Sequence, residues 1–324
     1  MGWYCQLCGF AAPELGPCPR DGGPLVPVST QELLGRTLGD YRILAKLGGG
    51  AFGTVYRAAQ VETGTIVAIK LLAHPVDRAE SARVVIEARA ASMIAHPNCV
   101  EVFDLALTSD RRPYIVMQLL DGVSLAHVMQ DRLSVPEAIT LISDVLRGVG
   151  EAHARGVVHR DLKPGNIFIT GGRAVIVDFG FAKLISDPKA PNLSITGEVI
   201  GTPAYMAPEQ IRAGRAVDGR CDLYAIGCVL YEMLAGRLPF AGKSTLKMFA
   251  AHLEETPPPL VKYRPDVPPR IAEAIGKAMA KRPEDRFADA GAMLAALTLA
   301  PRGGGWILIA AIAAAVIVIA IARC

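Results

Sequence analysis

The 324-residue chain has almost no excess of either charge: 34 Lys and Arg stand against 31 Asp and Glu, leaving +3. A balance that close excludes binding driven by a basic surface, so nucleic acid is not an expected partner. A disulfide framework is also absent. Of the seven cysteines, Cys5, Cys8 and Cys18 crowd the N-terminus, while Cys99, Cys221, Cys228 and Cys324 are scattered, which fits a reducing compartment. The first residues lack the basic stretch and apolar run of a cleaved signal peptide. Gln6 stands where a myristoylation signal after Gly2 needs Ser or Thr, so that lipid anchor is not expected.

What is present is apolar. Hydrophobic residues make up 51% of the chain and mean hydropathy is +0.32, high for a soluble enzyme, which points to a concentrated apolar segment. Trp306 to Ala322 is that segment: seventeen residues without a charge, after Pro301-Arg302-Gly303-Gly304-Gly305. As a helix it spans about 26 Å, or about 30 Å with the glycines, the thickness of a bilayer's hydrocarbon. We therefore expect a transmembrane helix over 306–322, behind a short linker at 300–305, with Trp306 as an interfacial anchor. The alternative is a buried helix, for which no covering surface is evident. Arg302 and Arg323 flank the segment equally and set no orientation.

At the other end, Cys5-Gln-Leu-Cys8 and Cys18-Pro-Arg-Asp21 each place two donors at the spacing of one tetrahedral metal site. The pattern resembles half of a zinc ribbon, with Asp21 where a fourth cysteine usually stands. We expect residues 1–28 to form a zinc-binding module with Cys5, Cys8, Cys18 and Asp21 as ligands. The plain alternative is a Gly/Pro-rich tail with adventitious thiols. Residues 29–39 read as a linker.

Beyond the linker the pattern turns to strands. Tyr41 to Leu47 and Thr54 to Ala58 alternate as strands around Gly48-Gly-Gly50-Ala-Phe-Gly53. A G-x-G-x-x-G that opened a helix would suit a dinucleotide, but Thr54, Val55 and Tyr56 are β-formers, so a glycine-rich hairpin over a nucleotide fits better. Ile66-Val-Ala-Ile-Lys70-Leu-Leu72 is an apolar strand with one lysine, which needs a partner if buried; Glu87, in a helix-like segment, is the candidate. Strand-like pieces follow around Cys99 to Leu107 and Tyr114 to Leu119, and then mainly helical sequence. The expected fold class is α+β, a small sheet lobe joined to a larger helical one. Within the helical part, Val158 to Asn166 places Asp161, Lys163 and Asn166 in one loop. A carboxylate there can accept a proton, an ammonium can neutralise phosphate charge, and an amide oxygen can hold Mg²⁺.

Gly48-x-Gly50-x-x-Gly53-x-Val55, Val67-Ala-Ile-Lys70, His159-Arg-Asp161-Leu-x-x-x-Asn166, Asp178-Phe-Gly180 and Ala207-Pro-Glu209 occur together and in order. Over residues 40–299 the chain resembles the bilobal protein-kinase fold, and most closely the bacterial Ser/Thr kinases of eukaryotic type. The resemblance implies ATP with Mg²⁺ or Mn²⁺ as cofactor and Ser/Thr hydroxyls of proteins as acceptors. It assigns Lys70 to the α/β-phosphates, with Glu87 aiming it, and Asp178 and Asn166 to the metal. Asp161 would orient the acceptor hydroxyl, with Lys163 beside the transferred group and Thr202 bridging the two. Leu47, Gly48, Gly50, Gly53, Val55, Ala68 and Phe168 would enclose the nucleotide, Met117 would be the gatekeeper, and Gln118 to Leu120 would meet the purine. Gln118 departs mildly from the usual Glu.

The resemblance also implies a switch and a frame. Arg160 would pair with a phosphate placed on Thr196, or secondarily Ser194, by a second copy of the chain acting in trans. Glu209 would pair with Arg286, and Asp222 would anchor the catalytic loop. Use of ATP implies that a membrane-anchored enzyme faces the cytoplasm. A catalytically silent scaffold acting through its metal module and membrane anchor is the competing expectation. A small-molecule kinase is the third, disfavoured by the full Gly201-Thr-Pro-Ala-Tyr-Met-Ala-Pro-Glu209 segment, a peptide platform in that family.

Overall fold

Alternation of apolar side chains decides how the first half of the chain folds. The structure is a computed structural model that describes residues 3–5, 11–12, 16–20, 22–23, 25–27, 33–50, 53–77, 92–179, 203–212, 217–241 and 244–298. Strands β1 (Trp3–Cys5), β2 (Ala11–Ala12) and β3 (Leu25–Pro27) form a small antiparallel sheet in the order β2-β1-β3. Strands β4 (Thr37–Leu38), β5 (Tyr41–Gly50), β6 (Gly53–Gln60), β7 (Ile66–Leu72), β8 (Val102–Leu107) and β9 (Pro113–Gln118) form the main sheet, in the order β4-β5-β6-β7-β9-β8. Leu33 and Leu34, from the segment read as a linker, pack on it.

Because side chains alternate along a strand, β7 serves two compartments. Val67, Ile69 and Leu71 enter a core with Ile43, Tyr56 and Val116 on one face. Ala68 turns the other way, into a cluster with Val100, Met117, Val175 and Val177. Lys70, two residues after Ala68, therefore points to the same face as Ala68, toward the helical lobe.

That lobe begins with β10 (Val123–Ser124) and α1 (Leu125–Val128). In α2 (Val135–Ala154), Ser134 Oγ accepts from the Glu137 N–H while Glu137 accepts from the Ser134 N–H, a reciprocal cap that fixes the start of the helix. Leu141, Ile142, Val145, Leu146 and Val149 then recur at helical spacing and are buried. Strands β11 (Ile167–Thr170) and β12 (Arg173–Ile176) join β10 in a second small sheet. The helices α3 (Pro208–Ile211), α4 (Arg220–Ala235), α5 (Thr245–Glu254), α6 (Pro269–Ala278) and α7 (Ala290–Thr298) complete it. Helix α4 is apolar all round and buried along most of its length, so it is the central post of the lobe.

Two expectations require correction. Among the described residues no helix is long and apolar enough to cross a membrane. The segment 306–322, its Trp306 and the linker 300–305 lie outside the described residues. Seventeen residues is the lower limit of a bilayer span, so hydropathy alone does not establish a membrane helix there. The fold is thus described as bilobal α+β with no transmembrane element among the described residues, and the single-pass membrane placement, the membrane as partner and the cytoplasm-facing topology are withdrawn with it.

The zinc-ribbon-like module is corrected in the same way. Among the described residues no group of three or more His, Cys, Asp or Glu could hold a metal, so Zn²⁺ is withdrawn as a cofactor. Cys8 and Asp21 lie outside the described residues. Cys5 ends β1 opposite Leu25. Cys18 does sit in a tight turn, closed by Gly22 N–H to its carbonyl and by its own N–H to the Gly23 carbonyl. Its side chain is buried, and the sulfur accepts from the Arg20 N–H at 3.4 Å. Of the two spacings, the described part of the second forms a turn.

Candidate active site

A cleft of about 610 Å³ lies between the main sheet and the helical lobe. Its roof is the β5–β6 hairpin, in which Gly48 faces Val55 and Gly50 faces Gly53. Gly53 has φ +149°, and a Cβ there would lie 2.2 Å from the Leu71 carbonyl, so only glycine fits that approach to β7. Leu47, Gly48, Gly53, Val55, Ala68, Lys70, Met117, Gln118, Leu120 and Phe168 all line the cleft. Cross-strand register brings them together: Val55 stands opposite Lys70, and Ala68 opposite Met117.

Five lining residues were not singled out from sequence: Gly49, Val100, Gly122, Gly165 and Val177. Val100 and Val177 meet because Cys99 bridges Ile176 in parallel, a pairing no local pattern announces. Gly122 carried a visible signal, since it interrupts the strand-to-helix transition. A Cβ there would lie 2.2 Å from the Ile169 carbonyl.

Across the cleft floor, the loop read as chemical closes on itself. Asp161 Oδ2 is 3.0 Å from Lys163 Nζ and 3.1 Å from Asn166 Nδ2, which also donates to the Asp161 carbonyl at 2.9 Å. Lys70 Nζ reaches down from β7 to Asp178 Oδ2 at 2.8 Å. These groups come from a strand, a loop with a 3-10 turn at Pro164–Asn166, and the residues after β12.

The backbone at these positions is strained and held. Arg160 and Asp178 are non-glycine residues with φ of +64° and +60°, a conformation that costs on the order of 1–3 kcal/mol and persists only where its surroundings enforce it. Asp222, at the start of α4, supplies much of that enforcement: its carboxylate accepts from the N–H groups of His159 and Arg160, both at 2.8 Å. The Gln210 amide donates to the Arg160 carbonyl at 2.8 Å. His159 Nε2 contacts the Val177 carbonyl at 2.9 Å and its ring packs on Phe179, which ties the loop to the segment that carries Asp178.

Burial by itself would raise the Asp222 carboxyl. The His153 hydrogen bond at 2.8 Å, with the fields of His153 and His159, outweighs it and holds the carboxyl below its ordinary value. Asp222 is thus a fixed anion that gathers loop N–H groups. One layer further out, Arg286 forks onto Glu209 with contacts of 2.6 and 2.7 Å, deep in the lobe.

Glu87, Ser194, Thr196 and Thr202 lie outside the described residues. The described partner of Lys70 is Asp178.

Residues 41–296 match the family described as protein kinase domain. Serine/threonine-protein kinase Pkn1 of Myxococcus xanthus is 40% identical over 319 residues, which is 92% of this chain and 46% of the relative. The pkn3 kinase of the same organism is 38% identical, over 83% of this chain and 51% of its own length. PknL of Mycobacterium tuberculosis is 36% identical over 276 residues, 83% of this chain and 68% of PknL. The chain thus spans about half the length of the two Myxococcus relatives. A match that takes in both walls of the cleft and the frame behind it establishes that the chain belongs to the protein kinase family.

Proposed function

We propose that this chain transfers the γ-phosphoryl group of ATP to Ser or Thr hydroxyls of protein acceptors. The observation that carries the reading is the convergence of Asp161, Lys163, Asn166 and Asp178 from below the cleft with Lys70 from the main sheet above it. In such a transfer the acceptor oxygen bonds to the γ-phosphorus as the bond to the β–γ bridging oxygen breaks. The protein's part is positioning and neutralisation of charge.

Asp161 orients the acceptor hydroxyl and takes up its proton. Lys163, 3.0 Å from that carboxylate, faces the charge that develops on the transferred group. Lys70 is the candidate for the α/β-phosphates, exchanging its contact with Asp178 for them when nucleotide enters, with Glu87 aiming it. The donor set fits a hard cation. Asn166 spends its amide nitrogen on Asp161, which leaves its oxygen for a metal, and Asp178 offers a carboxylate in the same cleft. Mg²⁺ held by those two residues would supply neutralisation of the phosphates.

The turn at Pro203–Tyr205 (a 3-10 turn before α3) is the proposed seat of the acceptor peptide, and Thr202 the proposed bridge between Asp161 and Lys163. Thr196, then Ser194, are the proposed phosphate acceptors that Arg160 would read.

The test is incubation with Mg-ATP and a generic basic protein. Phosphate should appear on Ser and Thr, and Asp161→Asn or Lys70→Met should each lower turnover by at least ~10²-fold, the scale of one preorganised electrostatic group. Transfer that survives both substitutions would remove the site assignment. No incorporation by the unaltered chain would favour a silent kinase-shaped scaffold.

A further inference from the structure

Gln210, in α3, reaches two parts of the chain with one side chain. Its Oε1 accepts from the Ala207 N–H at 3.0 Å, a backbone group at the start of the helix. Glu or Gln at the third helical position commonly does this, and either would serve, since the cap needs only an acceptor. The other end of the amide separates the two residues. Gln210 Nε2 donates to the Arg160 carbonyl at 2.8 Å, across 50 residues of sequence. A carboxylate has no proton to give there.

The Arg160 carbonyl belongs to the peptide unit that precedes Asp161. The nitrogen end of that unit is held as well: the Asp161 N–H donates to His159 Nδ1 at 3.3 Å. The His159 proton therefore sits on Nε2, facing the Val177 carbonyl at 2.9 Å. Because a peptide unit is planar, holding it at both ends narrows the direction in which the Asp161 side chain leaves the chain. Arg160 itself has φ +64°, a conformation that needs such support.

Three links then form a triangle. Asp222 of α4 holds the loop through the N–H groups of His159 and Arg160. Tyr205 Oη donates to Glu232 Oε2 of the same helix at 2.6 Å and holds the acceptor turn. Gln210 joins the loop to the segment that follows the turn. Arg160, Asp161, Tyr205, Met206, Gln210 and Asp222 line a void of about 10 Å³, room for one water at most, so there is little slack between turn and loop.

We propose that Gln210 is a positioning residue that carries the placement of the acceptor segment to Asp161 through the Arg160–Asp161 peptide unit. A Ser/Thr peptide seated on Pro203–Tyr205 is thereby registered against the carboxylate that takes up its proton. The proposal rests on the kinase reading for the roles of Asp161 and of the acceptor turn.

Two variants and two readouts test it. Gln210→Glu keeps the acceptor that caps α3 and removes the donor to Arg160, while Gln210→Met removes both without adding a charge. Each should lower kcat about five- to tenfold, the weight of one hydrogen bond, with the KM for ATP and for acceptor held within about twofold. Hydrogen exchange needs no turnover. In both variants the Asp161 N–H should exchange about five- to tenfold faster. The Ala207 N–H should stay protected in Gln210→Glu and lose protection in Gln210→Met. An unchanged kcat in both variants, or Asp161 exchange equal to that of the unaltered chain, overturns the proposal. A kcat loss confined to Gln210→Glu would belong to the new charge and overturns it too. So does a rise of either KM in step with the fall in kcat, the mark of a loosened site. If the unaltered chain transfers no phosphate, the kinase reading fails instead, and the Asp161 exchange rates still decide whether Gln210 holds that peptide unit.

Discussion

Arg286 and Glu209 are almost wholly removed from water, their side chains 0% and 4% exposed. Two charges in such a place are tolerated because every guanidinium proton has an acceptor: besides Glu209, Arg286 donates to the carbonyls of Ala280, Arg220 and Lys281. Removing one partner leaves the other as a buried, uncompensated charge. Glu209→Ala or Arg286→Met alone should each cost about 3–5 kcal/mol, and the double replacement clearly less than their sum. Urea denaturation of the four chains in a double-mutant cycle measures this; single costs below about 1 kcal/mol would mean that the pair does not hold the segment after the cleft in place. At this scale the sequence was legible through resemblance. The ion pair joins residues 77 apart, and no local pattern announces that Glu209 and Arg286 meet. The left-handed backbone at Arg160 and Asp178 was not legible at all, because it is imposed by Asp222 and by the packing of His159 on Phe179.

Among the elements, strands that alternate could be read directly. Tyr41 to Leu47 and Ile66 to Leu72 gave β5 and β7, while the face on which Lys70 lies came from the packing of its neighbours. The small β10-β11-β12 sheet could not be read, since its strands are two to four residues long and owe their existence to tertiary context. Helix α4 shows what packing adds to pattern. It carries Asp222 at one end and Glu232 near the other, and it can lie close to α6 only because Gly227 has no side chain. A Cβ at Gly227 would meet Ala278 Cβ at 2.9 Å and Met279 Cγ at 3.0 Å, whereas one at Gly276 of α6 would meet nothing within 4 Å. The same substitution should therefore have opposite signs: Gly227→Ala destabilising by about 1–3 kcal/mol through overpacking, Gly276→Ala stabilising by about 0.4–1 kcal/mol through a less free unfolded chain. Denaturation midpoints of the two variants, compared side by side, decide whether contact or helix propensity dominates at α4–α6.

At the level of the whole molecule the cleft is the only described feature that both lobes must share to bind a ligand, since Val55, Ala68 and Lys70 come from the sheet and Asn166, Phe168 and Asp178 from below it. The readings that failed, the membrane helix and the metal module, rested on one run or one spacing; the reading that held rested on residues from many elements meeting in this cleft. A ligand bound across the two lobes favours the folded state by mass action. A non-hydrolysable ATP analogue with Mg²⁺, at about 100 times its Kd, should add about 2.7 kcal/mol. For a domain of this size that raises the thermal midpoint by roughly 5–10 °C. The variants separate nucleotide from acceptor chemistry. Lys70→Met removes the ammonium that would meet the phosphates and should shrink the shift at the same analogue concentration. Asp161→Asn, which would act on the acceptor hydroxyl, should keep most of it while losing turnover. Equal shifts in all three chains would place the nucleotide away from Lys70, and with it the axis on which Lys70, Asp178 and Asp161 have been arranged.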